Sequence, residues 1–247
     1  MSKQSIFITG TDTGVGKTTI TAALLLVLQQ RGQSVGVLKP IETGVDGKKP
    51  DYSDTGRLRN LCSPALSFDS VCLYGFPQPL APLEAARQTK VPIDPSRIQL
   101  HVASLAQHYS YLLIEGAGGL FTPIAPKYTM RDLITLCNLP CLIVGHTALG
   151  GVNHCLLTLH ALQQVRIGVV GIVLNAHYSQ TITPIMHEQQ DSTVALIREW
   201  SSVPVFGPIP FTKRIETNWK EGVTALSKDQ EIQRLATHLS QTEQEIA

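Results

Sequence analysis

The chain has 247 residues, of which 43% are hydrophobic and 16% are charged, and its formal net charge is +1. This composition can bury a substantial core and excludes an intrinsically disordered chain. The charge forms no long basic block, which argues against a nucleic-acid partner. No apolar run is long enough to span a membrane, and a strand predicted to start by residue 5 leaves no room for a signal peptide. We therefore expect a cytoplasmic protein that binds neither nucleic acid nor a membrane.

The first predicted elements surround a glycine-rich turn. Residues 5–9 form an apolar strand, residues 10–19 have the sequence GTDTGVGKTT, and residues 20–28 form an apolar helix. A glycine-rich turn between a strand and a helix is the context of a P-loop, whose backbone N–H groups bind phosphate oxygens. Lys17 can then reach the outer phosphates, and the Thr18 hydroxyl can bind Mg²⁺.

The spacing of this turn differs from the usual G-x4-G-K-[ST] pattern, because five residues separate Gly10 from Gly16. We therefore predict a variant P-loop. The alternative is an ordinary glycine-rich turn with a chance Lys-Thr pair, which the flanking strand and helix make the weaker interpretation.

The second predicted strand, residues 34–38, delivers Lys39 and Thr43 at its carboxyl end. In open parallel α/β sheets the ligand crevice lies beyond the carboxyl ends of the strands, so both residues are expected beside the P-loop. Without a P-loop, Lys39 would be interpreted as an ordinary solvated lysine. Ser53 or Asp54 is predicted to cap the short helix that follows.

The region between residues 64 and 95 has the weakest pattern. We predict a strand near residues 67–73 and then a proline-rich loop, residues 76–82, that forms a wall of the protein. A helix is predicted over residues 96–109.

An acidic residue ends the next apolar strand, residues 111–114. Glu115 resembles a Walker-B carboxylate, which binds Mg²⁺ directly or through water. The small residues Gly116, Ala117 and Gly118 then allow the backbone to approach phosphates closely. A simple turn after one acid is the alternative interpretation.

The remaining elements continue the alternation of strands and helices. They are a strand at 142–145, a loop at 150–153, a helix to residue 164, a strand at 169–174 that ends at Asn175, a helix at 184–200 and a closing helix at 228–238. No internal repeat or linker interrupts this pattern. It predicts one doubly wound, mostly parallel α/β domain of the P-loop NTPase type over residues 1–247.

Other chemistries lack their motifs in this sequence. The intervals between His146, His154 and His160 are not those of a zinc site, and no G-x-S-x-G nucleophile elbow is present. The five cysteines are odd in number and contain no C-x-x-C, which favours buried, reduced thiols.

Several segments of the chain form one ordered set of motifs. They are GTDTGVGKT at 10–18, KPIETG at 39–44, Ser-Asp at 53–54, EGAGG at 115–119, LGGVNH at 149–154 and Asn175. In this order they closely resemble the dethiobiotin synthetase family, ATP-dependent enzymes that close the ureido ring in biotin biosynthesis. The resemblance covers nearly the whole chain, and its most specific parts are the first motif and EGAGG.

The resemblance implies a role for many residues of the chain. The implied catalytic residues are Lys17 and Lys39, and the implied Mg²⁺ ligands are Thr18, Asp54 and Glu115. The implied ATP-binding residues are Gly14, Val15, Gly16, Lys17, Thr18, Thr19, Asp54, Glu115, Gly116, Ala117, Gly118, Asn175, Ala176, Pro210, Phe211 and Thr212. The implied substrate residues are Thr13, Thr43, Gly150, Gly151, Val152 and Asn153.

The implied reaction uses ATP as a co-substrate together with Mg²⁺. 7,8-Diaminopelargonic acid takes up CO2, supplied from bicarbonate, at one amine, and the resulting carbamate attacks the γ-phosphate of ATP. The second amine then displaces phosphate from the mixed carbamic–phosphoric anhydride and closes the ring. Charge neutralisation and positioning dominate such a reaction, and it needs no side-chain nucleophile. The family also implies a homodimer with substrate sites near its interface.

Three segments depart from the family pattern. Residues 81–83 are Ala-Pro-Leu where many members have Ser-Pro-His, and residues 146–148 are an unusual lead into the LGGVNH motif. The tyrosine that some members use for the substrate carboxylate has no clear counterpart in residues 187–199. These departures concern the substrate tail rather than the ATP-binding half.

Three alternative functions remain at this point. A dimeric P-loop ATPase switch of the partitioning or division-site type would carry a lysine early in the P-loop, and residues 11–15 contain none. An amidotransferase-type synthase would need a glutaminase domain as well. A regulatory module that has lost catalysis would not need to retain both lysines and both carboxylates.

Overall fold

The computed structural model describes residues 4–176 and 183–246. Its strands are β1 (Gln4–Gly10), β2 (Val35–Leu38), β3 (Ile41–Thr43), β4 (Tyr74–Phe76), β5 (Tyr111–Gly119), β6 (Pro123–Ala125), β7 (Tyr128–Thr129), β8 (Cys141–His146), β9 (Val169–Asn175) and β10 (Val205–Ile209). Its helices are α1 (Lys17–Gln30), α2 (Asp54–Arg59), α3 (Phe68–Val71), α4 (Pro82–Thr89), α5 (Pro95–Leu105), α6 (Met130–Cys137), α7 (Gly151–Gln164), α8 (Pro184–Trp200), α9 (Arg214–Thr217), α10 (Trp219–Leu226) and α11 (Gln230–Ile246). A single 3₁₀ turn, Pro50–Tyr52, precedes α2.

Six strands form one parallel sheet in the order β2-β5-β1-β8-β9-β10. The chain builds outward from β1 in both directions, first to β2 and β5 and then to β8, β9 and β10. The predicted doubly wound, mostly parallel sheet is confirmed. Ligands of such sheets bind beyond the carboxyl ends of the strands, where the direction of winding reverses. Here that point is the end of β1, between β5 and β8.

Helices cover both faces of the sheet. One buried cluster joins β1 to α1, α10 and α11, and the other joins it to α5, α6, α7 and α8. Side chains of β1 alternate between them: Ile6 and Ile8 belong to the first cluster and Phe7 to the second, and all three are fully buried. This period of two is what a strand with helices on both faces requires, and it fixes the strand that carries the P-loop.

The structure corrects two local predictions. The strand predicted near residues 67–73 is wrong, because Ser67 caps a single helical turn, α3, by accepting a hydrogen bond from Ser70 N at 3.2 Å. The strand in this region comes later, as β4, and pairs with β3 in a small parallel sheet. The loop predicted at residues 150–153 is also wrong, because α7 begins at Gly151. A Cβ there would overlap His146 O, so the helix starts directly against the end of β8.

The five cysteines are free thiols, and four of them are buried. Burial raises the pKa of Cys141 and of Cys155 to about 12, so neither thiol is a reactive nucleophile at neutral pH. Among residues 4–176 and 183–246, no helix has the length and apolar character that crossing a membrane requires.

Candidate active site

The glycine-rich turn joins the end of β1 to the first residue of α1, Lys17. Gly16 precedes the helix with φ of 93°, in the left-handed region, and a Cβ at this position would overlap Asn175 Nδ2. Only glycine meets both conditions without strain. The predicted strand, P-loop and helix are therefore confirmed, and the loop opens at the carboxyl edge of the sheet.

Lys17 is folded back over its own loop. Its side chain is largely buried, and its Nζ donates a hydrogen bond to Asp12 O at 2.9 Å. Burial lowers the pKa of Lys17 to about 8, although the Glu115 carboxylate opposes this shift. The ammonium group is thus held beside the turn where phosphate oxygens are expected, with its charge only partly neutralised.

Lys39 follows β2 and forms a buried ion pair with two carboxylates. Its Nζ lies 2.5 Å from Glu115 Oε1 and 2.9 Å from Asp54 Oδ2. Burial by itself would lower the pKa of Lys39, but the negative charges of Glu115 and Asp54 raise it above its usual value. Lys39 therefore stays positively charged at the edge of the sheet.

Two acidic side chains and one hydroxyl group surround this lysine. Glu115 is fully buried in β5, and its Oε1 also accepts a hydrogen bond from Thr18 Oγ1 at 2.7 Å. Asp54 begins α2; burial would raise the pKa of its carboxyl, but the Lys39 charge holds this pKa below its usual value. Thr18, Lys39, Asp54 and Glu115 are thus one connected polar cluster, which brings together α1, α2, β5 and the segment that follows β2.

The oxygen donors of this cluster fit a magnesium ion. Glu115 Oε2 is buried and has no hydrogen-bond partner among the residues that the structure describes, so one carboxylate oxygen is available. Mg²⁺ takes hard oxygen ligands and is usually bound by one or two carboxylates, waters and substrate phosphates. Over residues 4–176 and 183–246 no group of three or more His, Cys, Asp or Glu side chains could hold a metal. The cluster therefore suits a cation that arrives with a nucleotide rather than a metal bound by protein ligands alone.

The polar cluster lies in a cleft of about 290 Å³, which we call the P-loop cleft. The predicted residues that line it are Thr13, Gly14, Gly16, Lys17, Thr18, Thr19, Lys39, Thr43, Asp54, Glu115, Ala117 and Gly118. Sequence reasoning gave no role to four further lining residues, Ile41, Glu42, Arg57 and Trp219. The Arg57 guanidinium carbon lies 4.7 Å from the centroid of the Trp219 ring, so this pair connects α2 to α10 across one side of the cleft.

A second cleft, of about 190 Å³, continues from the P-loop along the end of β9, and we call it the Asn175 cleft. The predicted residues that line it are Gly14, Val15, Gly16, Thr19, Asn175, Ala176, Pro210, Phe211 and Thr212. Ile215, Glu216 and Leu226 complete its wall. Asn175 Nδ2 donates a hydrogen bond to Val15 O at 2.8 Å, so the asparagine also holds the P-loop in place.

A third cleft, of about 550 Å³, lies on the other side of the P-loop, and we call it the α7 cleft. It is lined by Thr11 and Asp12 of the P-loop, by Phe121, and by His154 and Leu157 of α7. Of the predicted residues that the structure describes, Gly116, Gly150, Gly151, Val152 and Asn153 line none of these three clefts. The last four form the first turn of α7 and the residue before it, next to His154.

A P-loop at the end of the central strand, a lysine and a threonine at the helix start, and an acid on the neighbouring strand define a P-loop NTPase. Solved structures share this fold. The cell division ATPase MinD of Pyrococcus furiosus superposes with a TM-score of 0.58 at 21% identity, covering 97% of this chain and 99% of that one. The septum site-determining protein MinD of Pyrococcus horikoshii, complexed with Mg-ADP, gives 0.61 at 17% identity, covering 97% and 96%. At these identities the likeness concerns the fold alone.

Sequence comparison is more specific. A family model described as an AAA domain matches residues 4–218. The ATP-dependent dethiobiotin synthetase of Thermodesulfovibrio yellowstonii is 36% identical over 233 residues, which are 91% of this chain and 95% of that protein. The same enzyme of Bacillus velezensis is 33% identical, over 84% of this chain and 86% of that protein. The chain belongs to the dethiobiotin synthetase family and is an ATP-dependent ligase.

Proposed function

We propose that this protein carries out the ATP- and Mg²⁺-dependent carboxylation and ring closure of 7,8-diaminopelargonic acid with CO2, giving dethiobiotin, ADP and phosphate. One observation carries the proposal: Lys17 and Lys39 line the same cleft, where the Asp54 and Glu115 carboxylates act electrostatically on both ammonium groups. The dethiobiotin synthetase relatives supply the identity of the product. The alternative of a dimeric ATPase switch has only the shared fold in its favour.

The proposed chemistry has three steps. One amine of the substrate adds to CO2, a C–N bond forms, and loss of a proton leaves a carbamate. A carbamate oxygen then attacks the γ-phosphorus of ATP, and the bond from that phosphorus to the β–γ bridging oxygen breaks, which releases ADP. The second amine attacks the carbamate carbon, the C–O bond to the phosphoryl group breaks, and phosphate and a proton leave as the ring closes.

The residues of the P-loop cleft suit this chemistry because its phosphoryl-transfer step brings two anions together, the carbamate and the triphosphate. Lys39 stays charged in a buried environment, where a positive group stabilises developing negative charge more strongly than in water. Lys17, at the start of α1, would contact the outer phosphates of the nucleotide. Thr18, Asp54 and Glu115 would hold Mg²⁺, which neutralises phosphate charge when it is bound. The Asn175 cleft would take the adenine.

The residues on the other side of the P-loop suggest where the organic substrate would lie. Thr13 and Thr43 line the P-loop cleft, whereas Thr11 and Asp12 line the α7 cleft. We infer that the amines lie near Thr13 and Thr43 and that the carboxylate tail extends toward the first turn of α7. Backbone N–H groups at a helix start are suitable partners for a carboxylate. The predicted residues Gly150, Gly151, Val152 and Asn153 form or precede this turn.

The test of the function is an ADP-release assay. ADP should form only when 7,8-diaminopelargonic acid and bicarbonate are both present, and dethiobiotin should appear in equal amount. Omission of either substrate, or of Mg²⁺, is the control. Rapid ATP turnover without the diamine would refute the ligase proposal and favour the ATPase switch.

We also propose that the protein acts as a homodimer whose interface includes the start of α7. Three large apolar side chains are exposed there or nearby: Leu149 is 89% exposed, Leu157 60% and Phe121 56%. Phe121 and Leu157 line the same cleft, and exposed apolar side chains that lie together in this way are typical of protein interfaces. Sedimentation equilibrium should give twice the chain mass, and Leu157→Glu should shift it toward the monomer. A monomer at micromolar concentration would contradict the proposal.

A further inference from the structure

Glu42 is a buried carboxylate without a role in the reaction proposed above. It lies in β3 between Ile41 and Thr43, and the residue is only 6% exposed although it borders the P-loop cleft. Both of its oxygens are used: Oε1 accepts a hydrogen bond from Asp54 N at 2.7 Å, and Oε2 accepts one from Thr55 N at 2.9 Å. Burying a carboxylate costs free energy unless it is hydrogen-bonded, so the placement of Glu42 against these two N–H groups requires an explanation.

The two hydrogen bonds fix the beginning of α2. This helix has only six residues, and its first N–H groups have no partner within the helix. Glu42 satisfies those of Asp54 and Thr55, and Ser53 Oγ accepts the third from Gly56 N at 3.0 Å. The backbone of Asp54 is therefore held by a side chain from β3 and not only by its own helix.

The Asp54 side chain points from this fixed backbone into the polar cluster. Its Oδ2 lies 2.9 Å from Lys39 Nζ, and Lys39 itself stands three residues before Glu42. Residues 44–53, a mostly polar segment, separate β3 from α2. Glu42 bridges this segment, because its hydrogen bond connects β3 directly to Asp54, which forms the ion pair with Lys39.

We propose that Glu42 is a positioning residue for Asp54: it orients this carboxylate toward Lys39 and Glu115 so that it can bind Mg²⁺ on the nucleotide. The proposal rests on the magnesium role that the proposed function gives to Asp54. Partners that orient a metal ligand are worth about 10–100-fold in metal affinity or activity. A carboxylate that accepts two backbone N–H bonds is a strong and directional support of this kind.

The experiment measures how much Mg²⁺ tightens ADP binding, as the ratio of the ADP Kd in EDTA to the ADP Kd in excess Mg²⁺. Glu42→Ala should lower this ratio about tenfold or more, while the ADP Kd in EDTA changes less than about twofold. Glu42→Gln, which keeps one acceptor oxygen and is the milder change, should lower it less. Amide hydrogen exchange at Asp54 and Thr55 should become faster in both variants.

Ser53→Ala is the matched control, because it removes the other hydrogen bond to the start of α2 without touching Asp54 N. It should leave the Mg²⁺ ratio within about twofold of the unsubstituted protein, a smaller change than an outer-shell partner causes. An equal loss in Ser53→Ala and Glu42→Ala would overturn the inference, since any weakening of the helix would then suffice. An unchanged ratio in a folded Glu42→Gln variant with faster amide exchange would overturn it too.

Asp54→Asn separates this inference from the proposed function. If Asp54→Asn lowers the ratio of the two ADP Kd values to about one and the Glu42 variants leave it unchanged, the positioning role of Glu42 fails and the magnesium role of Asp54 stands. If neither changes it, the magnesium role of Asp54 fails and the inference fails with it. If both are right, the double variant Glu42→Ala with Asp54→Asn should be no worse than Asp54→Asn alone.

Discussion

Lys39 Nζ and Glu115 Oε1 lie 2.5 Å apart where β2 ends beside the middle of β5, and the second oxygen of Glu115 has no hydrogen-bond partner within the described residues. The lysine therefore neutralises the carboxylate on one side only. In a fully buried position an unpaired carboxylate is costly, so the ion pair is also a structural requirement of the cleft. The same pair would supply opposite charges to the proposed reaction.

We predict that Lys39→Gln lowers kcat by a factor of about 10²–10³, the loss typical when one group that stabilises transition-state charge is removed. The Kd for ADP should change little, because Lys17 and the P-loop backbone remain. Discontinuous assays of ADP release would measure kcat, and calorimetric titration with ADP would measure the Kd.

The same substitution also removes the partner of buried Glu115, which costs about 3–5 kcal/mol where a buried pair is broken. Thermal denaturation curves must therefore be recorded as well, so that the kinetics are measured at a temperature where the variant is folded. Lys48→Gln, at an exposed position in the segment before α2, is the control and should match the unsubstituted protein. Unchanged turnover in folded Lys39→Gln would remove this residue from the mechanism.

The pKa of Lys17, lowered to about 8 by burial, predicts a pH dependence of nucleotide binding. A phosphate group favours the charged ammonium, so binding raises this pKa and takes up a proton when the pH is above about 8. The affinity for ADP in EDTA should therefore fall as the pH rises beyond that value, by up to about tenfold per pH unit. Calorimetry in buffers of different ionisation enthalpy would measure both the affinity and the proton uptake.

Lys17→Met is the control for this pH dependence. This variant should bind ADP more weakly, and its affinity should not change between about pH 7.5 and 9.5. That window spans the lowered pKa of Lys17 but not the usual pKa of a lysine. A variant that kept the full pH dependence would show that another group is responsible.

Gly16→Ala should abolish tight ADP binding. The residue has φ of 93°, and the new Cβ would overlap Asn175 Nδ2. The left-handed backbone alone costs about 1–2 kcal/mol, and the contact with Asn175 adds to it. Gly32→Ala is a matched control, because Gly32 has φ of 78° and a Cβ there would have no neighbouring atom within 4 Å. Gly32→Ala should lose a similar amount of stability, because its backbone is also left-handed, but it should keep its ADP affinity. Equal ADP affinity in Gly16→Ala and Gly32→Ala would contradict the prediction.

Asn175→Ala should weaken ADP binding about five- to tenfold, which corresponds to one lost hydrogen bond of about 1 kcal/mol. The reason is the bond from Asn175 Nδ2 to Val15 O, which fixes the P-loop from the β9 side. Asn175→Asp should behave similarly, since a carboxylate cannot donate to a carbonyl oxygen. Asn60→Ala, on the exposed end of α2, is the control. Tight binding in both Asn175 variants would show that the loop keeps its conformation without this bond.

The sequence predicts those parts of the molecule that local pattern determines. The boundaries predicted for the helix at residues 184–200 coincide with α8, because proline starts it and its apolar positions repeat with a helical period. The P-loop could be predicted equally well, since its glycines, lysine and threonine lie within one short stretch of the sequence. The short apolar runs also place Lys39 directly after β2 and Asn175 at the end of β9. Glu115 was predicted to end its strand, but it lies in the middle of β5, which continues to Gly119.

The sequence does not predict features that depend on contacts between distant segments. Nothing local indicates that Arg57 stacks on Trp219, because 161 intervening residues separate them in the chain. Ser67–Leu73 contains strand-like apolar residues, but one serine hydroxyl converts its start into a helical turn. The contact of Gly151 with His146 O, which decides where α7 begins, also needs the folded sheet.

The charges that line the P-loop cleft have a kinetic consequence. Among the described residues, the cations of Lys17, Lys39 and Arg57 face the carboxylates of Glu42, Asp54 and Glu115, so the cleft is close to neutral overall. A neutral cleft produces little long-range field, and it does not draw a polyanion in from beyond a Debye length. Capture of the nucleotide then depends on collisions that reach the P-loop directly. We therefore expect the rate of nucleotide association to change little with ionic strength.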